Sequence, residues 1–72
     1  MLTNMKTHRV QALIKQTRKH ARLTQMDLAE RTGLNYADIA NYETRLLPPL
    51  DKLDAIAKAL GKRVVIELRR VR

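Results

Sequence analysis

A single glycine, Gly33, divides the stretch LTQMDLAERTGLNYADIANYE, Leu23 to Glu43, into two short segments of helical pattern. In the first, Met26, Leu28 and Ala29 take the apolar positions. Thr24 precedes it with Asp27 three residues later, which approximates a capping box with Asp in place of Glu or Gln. Gly33 stands where a left-handed residue closes a helix at least cost. Asn35 can cap the second segment, YADIANYE, whose clearest core residue is Ile39. The chain must therefore hold two short helices apart with a tight connector, TGLN.

The flanking segments supply the rest of an all-α domain. Val10, Leu13, Ile14, Thr17 and Ala21 recur at steps of three and four and mark one face of a helix. Thr3 or Asn4 is positioned to cap its start. Arg18, Lys19 and Arg22 fall in its last turn, where positive charge opposes the helix dipole. After LLPP, with Pro49 suited to a first helical turn, Leu50, Leu53, Ile56, Ala57 and Leu60 form a further periodic set that Gly61 stops. The tail KRVVIELRRVR changes period: Val64, Ile66 and Leu68 alternate with Val65, Glu67 and Arg69, a strand pattern rich in β-branched residues. The expectation is one domain over 1–72, with four helices over about 4–61 and a β-strand over about 62–70. There is no internal repeat and no low-complexity segment.

A domain of this size buries only about 60% of the surface its unfolded chain exposes, and it needs a staple. The 72 residues include no cysteine, which excludes disulfides and thiolate metal sites. His8 and His20 have no neighbouring ligand pattern, so neither a metal nor another cofactor is expected. Oligomerisation is the expected staple. No apolar run approaches the roughly 18 residues of a membrane span, and MLTNMKTHRV has no apolar signal-peptide core. A cytoplasmic protein is the simplest reading. No nucleophile–base pair is present and the chain is too short to wall off a pocket, so an enzyme is not expected.

The formal net charge is +8. Residues 1–22 hold six Lys or Arg and no acid, residues 23–60 four bases and six acids, and residues 61–72 five bases and one acid. Positive charge thus gathers at the two ends, a balance that favours a polyanion and most often nucleic acid. Two helices joined by a short glycine turn form a helix-turn-helix, whose second helix can enter the major groove of double-stranded DNA. Glycine turn, basic balance and small polar residues on the second of the two helices all point the same way.

These residues resemble the Cro/C1-type helix-turn-helix, or XRE, family. Its pattern, L-T-Q-x-x-L-A-x-x-x-G-[VL]-[ST]-x-x-x-I-x-x-x-E, is met by Leu23, Thr24, Gln25, Leu28, Ala29, Gly33, Leu34, Ile39 and Glu43. LDKLDAIAKALG resembles the family's following helix, and the likeness covers about residues 10–61. The strand after it resembles, more loosely, the HipB and HigA antitoxins, in which such a strand pairs across a dimer. The resemblance implies that Gln25 and Thr24 contact backbone phosphate, and that Arg45, just past the reading helix, does so too. It implies that Tyr36, Ala37, Ala40 and Asn41 face bases; Asn suits adenine N6 and N7, and Ala the thymine methyl group. Arg18, seven residues before Gln25, is implied to pair with Glu43. Arg22 stands where the family often has Gly or Asn, which predicts a looser end to the first helix. The loop after Glu43 is a residue short of the family's usual form, and Asp38 places a negative charge on the reading helix.

The expected protein is a sequence-specific repressor that binds a palindromic operator as a homodimer, with Val64, Ile66 and Leu68 on the pairing strand. Two settings fit: the antitoxin of a toxin–antitoxin operon, which adds a toxin as partner, and a stand-alone phage or plasmid regulator. A mainly toxin-neutralising, protein-binding module is the reading of a different class.

Overall fold

A computed structural model describes residues 2–71, with side chains from residue 9 onward. Four helices follow in order: α1 Leu2–His20, α2 Gln25–Thr32, α3 Tyr36–Tyr42 and α4 Leu50–Ala59. Helix α1 already includes Thr3 and Asn4, so neither stands ahead of it as a cap. No Pro or Gly interrupts the backbone there. The side chains of Thr3, Asn4 and His8 lie outside the described residues.

Ile14, Leu28, Ala29, Ile39, Tyr42 and Ile56 form the core, with Val10, Leu34, Leu53, Ala59 and Leu60 packed around it. Helix α2 packs on both α3 and α4. Its core residue Leu28 is fully buried, as are Ile39 and Ile56. Met26 instead faces solvent. Among the described side chains of α1 the buried ones are Gln11, Ile14 and Arg18. Leu13 is 62% exposed and Ala21 is exposed. The expected apolar face is thus rotated by about one position, because Arg18 is drawn inward to Glu43 and takes the inner face with it.

The corner between α1 and α2 also differs from expectation. Arg22 adopts a left-handed backbone, φ +61°, as a glycine would. Its N–H donates to the Lys19 carbonyl at 2.9 Å, and the Leu23 N–H reaches back to the Arg18 carbonyl at 3.2 Å. The end of α1 is therefore tightly turned despite lacking Gly or Asn. The short loop after Glu43 closes by the same economy: the N–H groups of Thr44, Arg45 and Leu46 all converge on the Asn41 carbonyl. At the end of α4, Gly61 (φ +72°) lets the Lys62 N–H bond the Ala57 carbonyl at 2.8 Å.

The capping box of α2 is complete. The Asp27 N–H donates to Thr24 Oγ1 at 3.0 Å, and the Thr24 N–H donates to Asp27 Oδ2 at 2.9 Å. Two orphan donors of the helix start are thus satisfied. The Thr24 backbone bond, aided by the Thr24 hydroxyl, holds the Asp27 carboxyl below its ordinary value. A lowered folded-state value means that the ionised box stabilises the fold at neutral pH. That contribution is lost as pH falls through the lowered value. Thr24→Ala should cost about 1 kcal/mol. The melting gap between the parent chain and Asp27→Ala should narrow on acidification, whereas a gap independent of pH would deny the carboxylate a part in the cap.

Residues 62–71 form no strand within the single chain. Val64 is half-buried, whereas Val65, Ile66, Leu68 and Val71 are 76%, 65%, 95% and 90% exposed. A ladder needs a second strand to bond to, and none occurs among the described residues.

Candidate nucleic-acid interface

The geometry of the α2–α3 pair begins at the turn. Gly33 has φ +76°, and its N–H donates to the Ala29 carbonyl at 2.9 Å. Thr32 Oγ1 donates to the Leu28 carbonyl at 2.8 Å and accepts from the Leu34 N–H at 3.2 Å, which ties the end of α2 to the connector. Asn35 then starts α3, accepting from the Asp38 N–H on Oδ1 at 2.8 Å. Asp38 itself lies in the first turn of α3, where the helix dipole favours negative charge. That placement gives Asp38 a structural role without any contact to DNA.

A buried ionic clamp fixes α3 against the rest of the domain. Arg18 donates to Glu43 twice, from Nε to Oε2 at 2.6 Å and from Nη2 to Oε1 at 3.0 Å. Its Nη1 donates to the Leu23 carbonyl at 2.7 Å. Gln25 Nε2 donates to Glu43 Oε1 at 3.2 Å. The Glu43 side chain is fully buried and that of Arg18 is 9% exposed. The Glu43 hydrogen bond raises the guanidinium value above its already high ordinary one, against the opposing effect of desolvation. One arginine of α1 thus joins the α1–α2 corner to the last turn of α3. Gln25 adds the start of α2 to the same carboxylate, so its amide has a partner within the fold before any phosphate arrives.

The clamp and the core leave one face of α3 outward. Tyr36 is half exposed and Ala37 is exposed, while Ala40 and Asn41 are half-buried. Tyr42 is buried and belongs to the core. Arg45 is exposed and continues the helical path beyond Tyr42, since its N–H bonds the Asn41 carbonyl at 2.9 Å. Its side chain also returns to Asn41, with Nε donating to Oδ1 at 3.0 Å. The Asn41 oxygen that an adenine amino group would need is therefore engaged in the free chain. The i, i+4 spacing of Asn41 and Arg45 was the available sequence signal for this pair. Thr24 stands at the start of α2, where its hydroxyl is already engaged with Asp27 in the capping box.

Val64 and Ile66 lie beside α1 and α4 and not α3, and Leu68 is exposed. Val64 lines an open apolar groove with Val10, Leu13, Leu53 and Leu60, between α1 and α4. Ile66 lines a second hollow beside Leu50, Asp51 and Asp54. Among the described residues no group of three or more His, Cys, Asp or Glu could hold a metal ion. No described helix is long and apolar enough to cross a membrane.

A helix-turn-helix family model matches residues 14–65, more than half of the chain. No curated protein and no solved structure matches the chain. The matched span runs from the buried Ile14 through the clamp, the glycine turn and α4 to Val65. With that span and this geometry, the chain belongs to the Cro/C1-type helix-turn-helix, or XRE, family of DNA-binding transcription regulators.

Proposed function

We propose that the protein is a cytoplasmic, sequence-specific repressor that binds a palindromic operator as a homodimer and acts by binding, without catalysis. The observation that carries the reading is the clamp, which holds α3 with Tyr36, Ala37, Ala40 and Asn41 outward. A helix so fixed can enter the major groove with its small residues against base edges, while Thr24 and Gln25 at the start of α2 face the phosphate backbone. Net charge supports the same partner, because cationic side chains near phosphates gain affinity by releasing counterions.

Dimerisation is supported by the tail. Four large apolar side chains exposed over 65–71 are costly in a monomer and suit pairing with the same segment of a second copy. The open groove beside Val64 offers the pair a surface to lie on. The two-fold would set the reading helices on successive major grooves, about 34 Å apart. An antitoxin of the HipB or HigA type is the setting that such a strand favours, and a neighbouring toxin gene would support it over a stand-alone regulator.

Selection from randomised duplexes tests the reading. The parent chain should recover a two-fold symmetric site. Asn41→Ala should relax preference at one or two positions, by about 1–3 kcal/mol. Gln25→Ala should weaken all sequences alike. Unchanged base preference in the Asn41 variant would remove that residue from the reading set.

A further inference from the structure

Arg45 is an exposed cation just past α3, and its side chain is tied back to that helix. Its backbone N–H and its Nε both bond Asn41, at 2.9 Å to the carbonyl and 3.0 Å to Oδ1. Ala37, Asn41 and Arg45 stand at i, i+4 and i+8, one stripe along the exposed side of α3 and its continuation. Among the described residues no carboxylate bridges Arg45. Ala37 and Ala40 project little, which leaves the tip of this stripe to the longer side chain.

The hydrogen-bond inventory then decides what the stripe offers. Arginine only donates, so the atom of Asn41 facing it is the oxygen, and the amide NH2 takes no part in that bond. Adenine requires an acceptor for its N6 amino group and a donor for N7, so the oxygen of this amide would have to serve Arg45 and the adenine amino group together, one on each lone pair. What the pair offers in excess is donors: the Asn41 NH2 and the four N–H bonds of the Arg45 terminal fork. In the major groove, guanine presents two acceptors side by side, O6 and N7, the geometry that an arginine fork meets.

We propose that Arg45 reads a guanine in each half-site, with Asn41 as the positioning residue that holds its guanidinium by Nε. The proposal rests on α3 being the reading helix and assigns Arg45 to bases where the family resemblance implied phosphate. It makes the two side chains one unit, so that removing either changes preference at the same base pair.

The test is randomised-duplex selection at fixed salt with the full chain, comparing the parent with Arg45→Ala, Arg45→Lys and Asn41→Ala. Melting curves near the parent's would show that these surface changes leave the fold intact. The parent should prefer guanine at one position per half-site by about tenfold or more. All three variants should lose most of that preference there. Arg45→Lys is decisive because it keeps the charge and removes the fork. Two results overturn the assignment while leaving α3 as the reading helix. In one, both Arg45 variants keep the parent's base preferences, and Arg45→Ala only lowers affinity uniformly with a salt slope reduced by about one, as for a phosphate contact. In the other, Asn41→Ala changes an adenine position that the Arg45 variants leave alone. A parent chain that selects no sequence would instead refute the reading of α3, and this assignment with it.

Discussion

Arg18→Ala should lower the melting temperature sharply, far more than a surface substitution in the helical domain. The Glu43 side chain is fully buried, and Arg18 supplies two of the three hydrogen bonds it receives. Without Arg18 the carboxylate keeps only the Gln25 bond at 3.2 Å. Leaving one charge of a buried pair unpaired costs about 3–5 kcal/mol. For a domain of this size each 1 kcal/mol shifts the midpoint by roughly 4–8 °C, so the variant should be largely unfolded at ordinary working temperatures. Removing both charges together, as Arg18→Met with Glu43→Gln, should cost less than Arg18→Ala alone, because no uncompensated charge stays inside. Lys19→Ala, an exposed neighbour in the same turn, is the control. If Arg18→Ala melted like Lys19→Ala, the clamp would be no more than a surface ion pair worth under about 1 kcal/mol.

Ending the chain after Gly61 should give a poorly folded monomer with operator affinity largely lost. The deleted segment carries Val64 against the α1–α4 groove and the exposed Val65, Ile66, Leu68 and Val71. If two tails pair as an antiparallel ribbon, truncation removes the interface and uncovers Val10, Leu13, Leu53 and Leu60 at once. Affinity then falls for a second reason, since two linked reading helices bind far more tightly than one. Sedimentation of the parent and truncated chains gives the masses directly. A truncated chain that stays a tight dimer would place the interface on the helices and leave the tail without this role.

Much of this fold could be read along the chain, and the exceptions have physical causes. Local hydrogen bonding is short-range, so the Thr24–Asp27 box, the Asn35 cap and the left-handed Gly33 were all legible from spacing. The rotation of α1 was not. Its apolar periodicity pointed Leu13 inward, but a charged residue outweighed it, since the Arg18–Glu43 contact spans 25 positions and periodicity counts only hydrophobicity. Exposure of Met26 and Leu50 has a related origin: two short helices around a small core cannot turn every apolar residue inward. Candidate base-facing positions on α3 came from the family resemblance rather than from periodicity. The hydrogen bond that turns the Asn41 amide depends on a rotamer of Arg45, which no residue pattern specifies.

Arg22 has a consequence for how the domain comes apart. A residue with a β-carbon held at φ +61° gives up on the order of 1 kcal/mol relative to a relaxed backbone. The strain is offset only while the corner it builds is in use, delivering the Leu23 carbonyl to Arg18 Nη1 and setting Thr24 in place to cap α2. Release of the Arg18 side chain would remove the reason for the strained conformation, and relaxation of Arg22 would in turn move the carbonyl that Arg18 holds. Clamp and corner therefore open together, as one cooperative unit. Amide exchange with solvent at Leu23 should accordingly keep pace with release of α3, so that the proposed reading helix is only as persistent as a turn on the far side of the glutamate that anchors it.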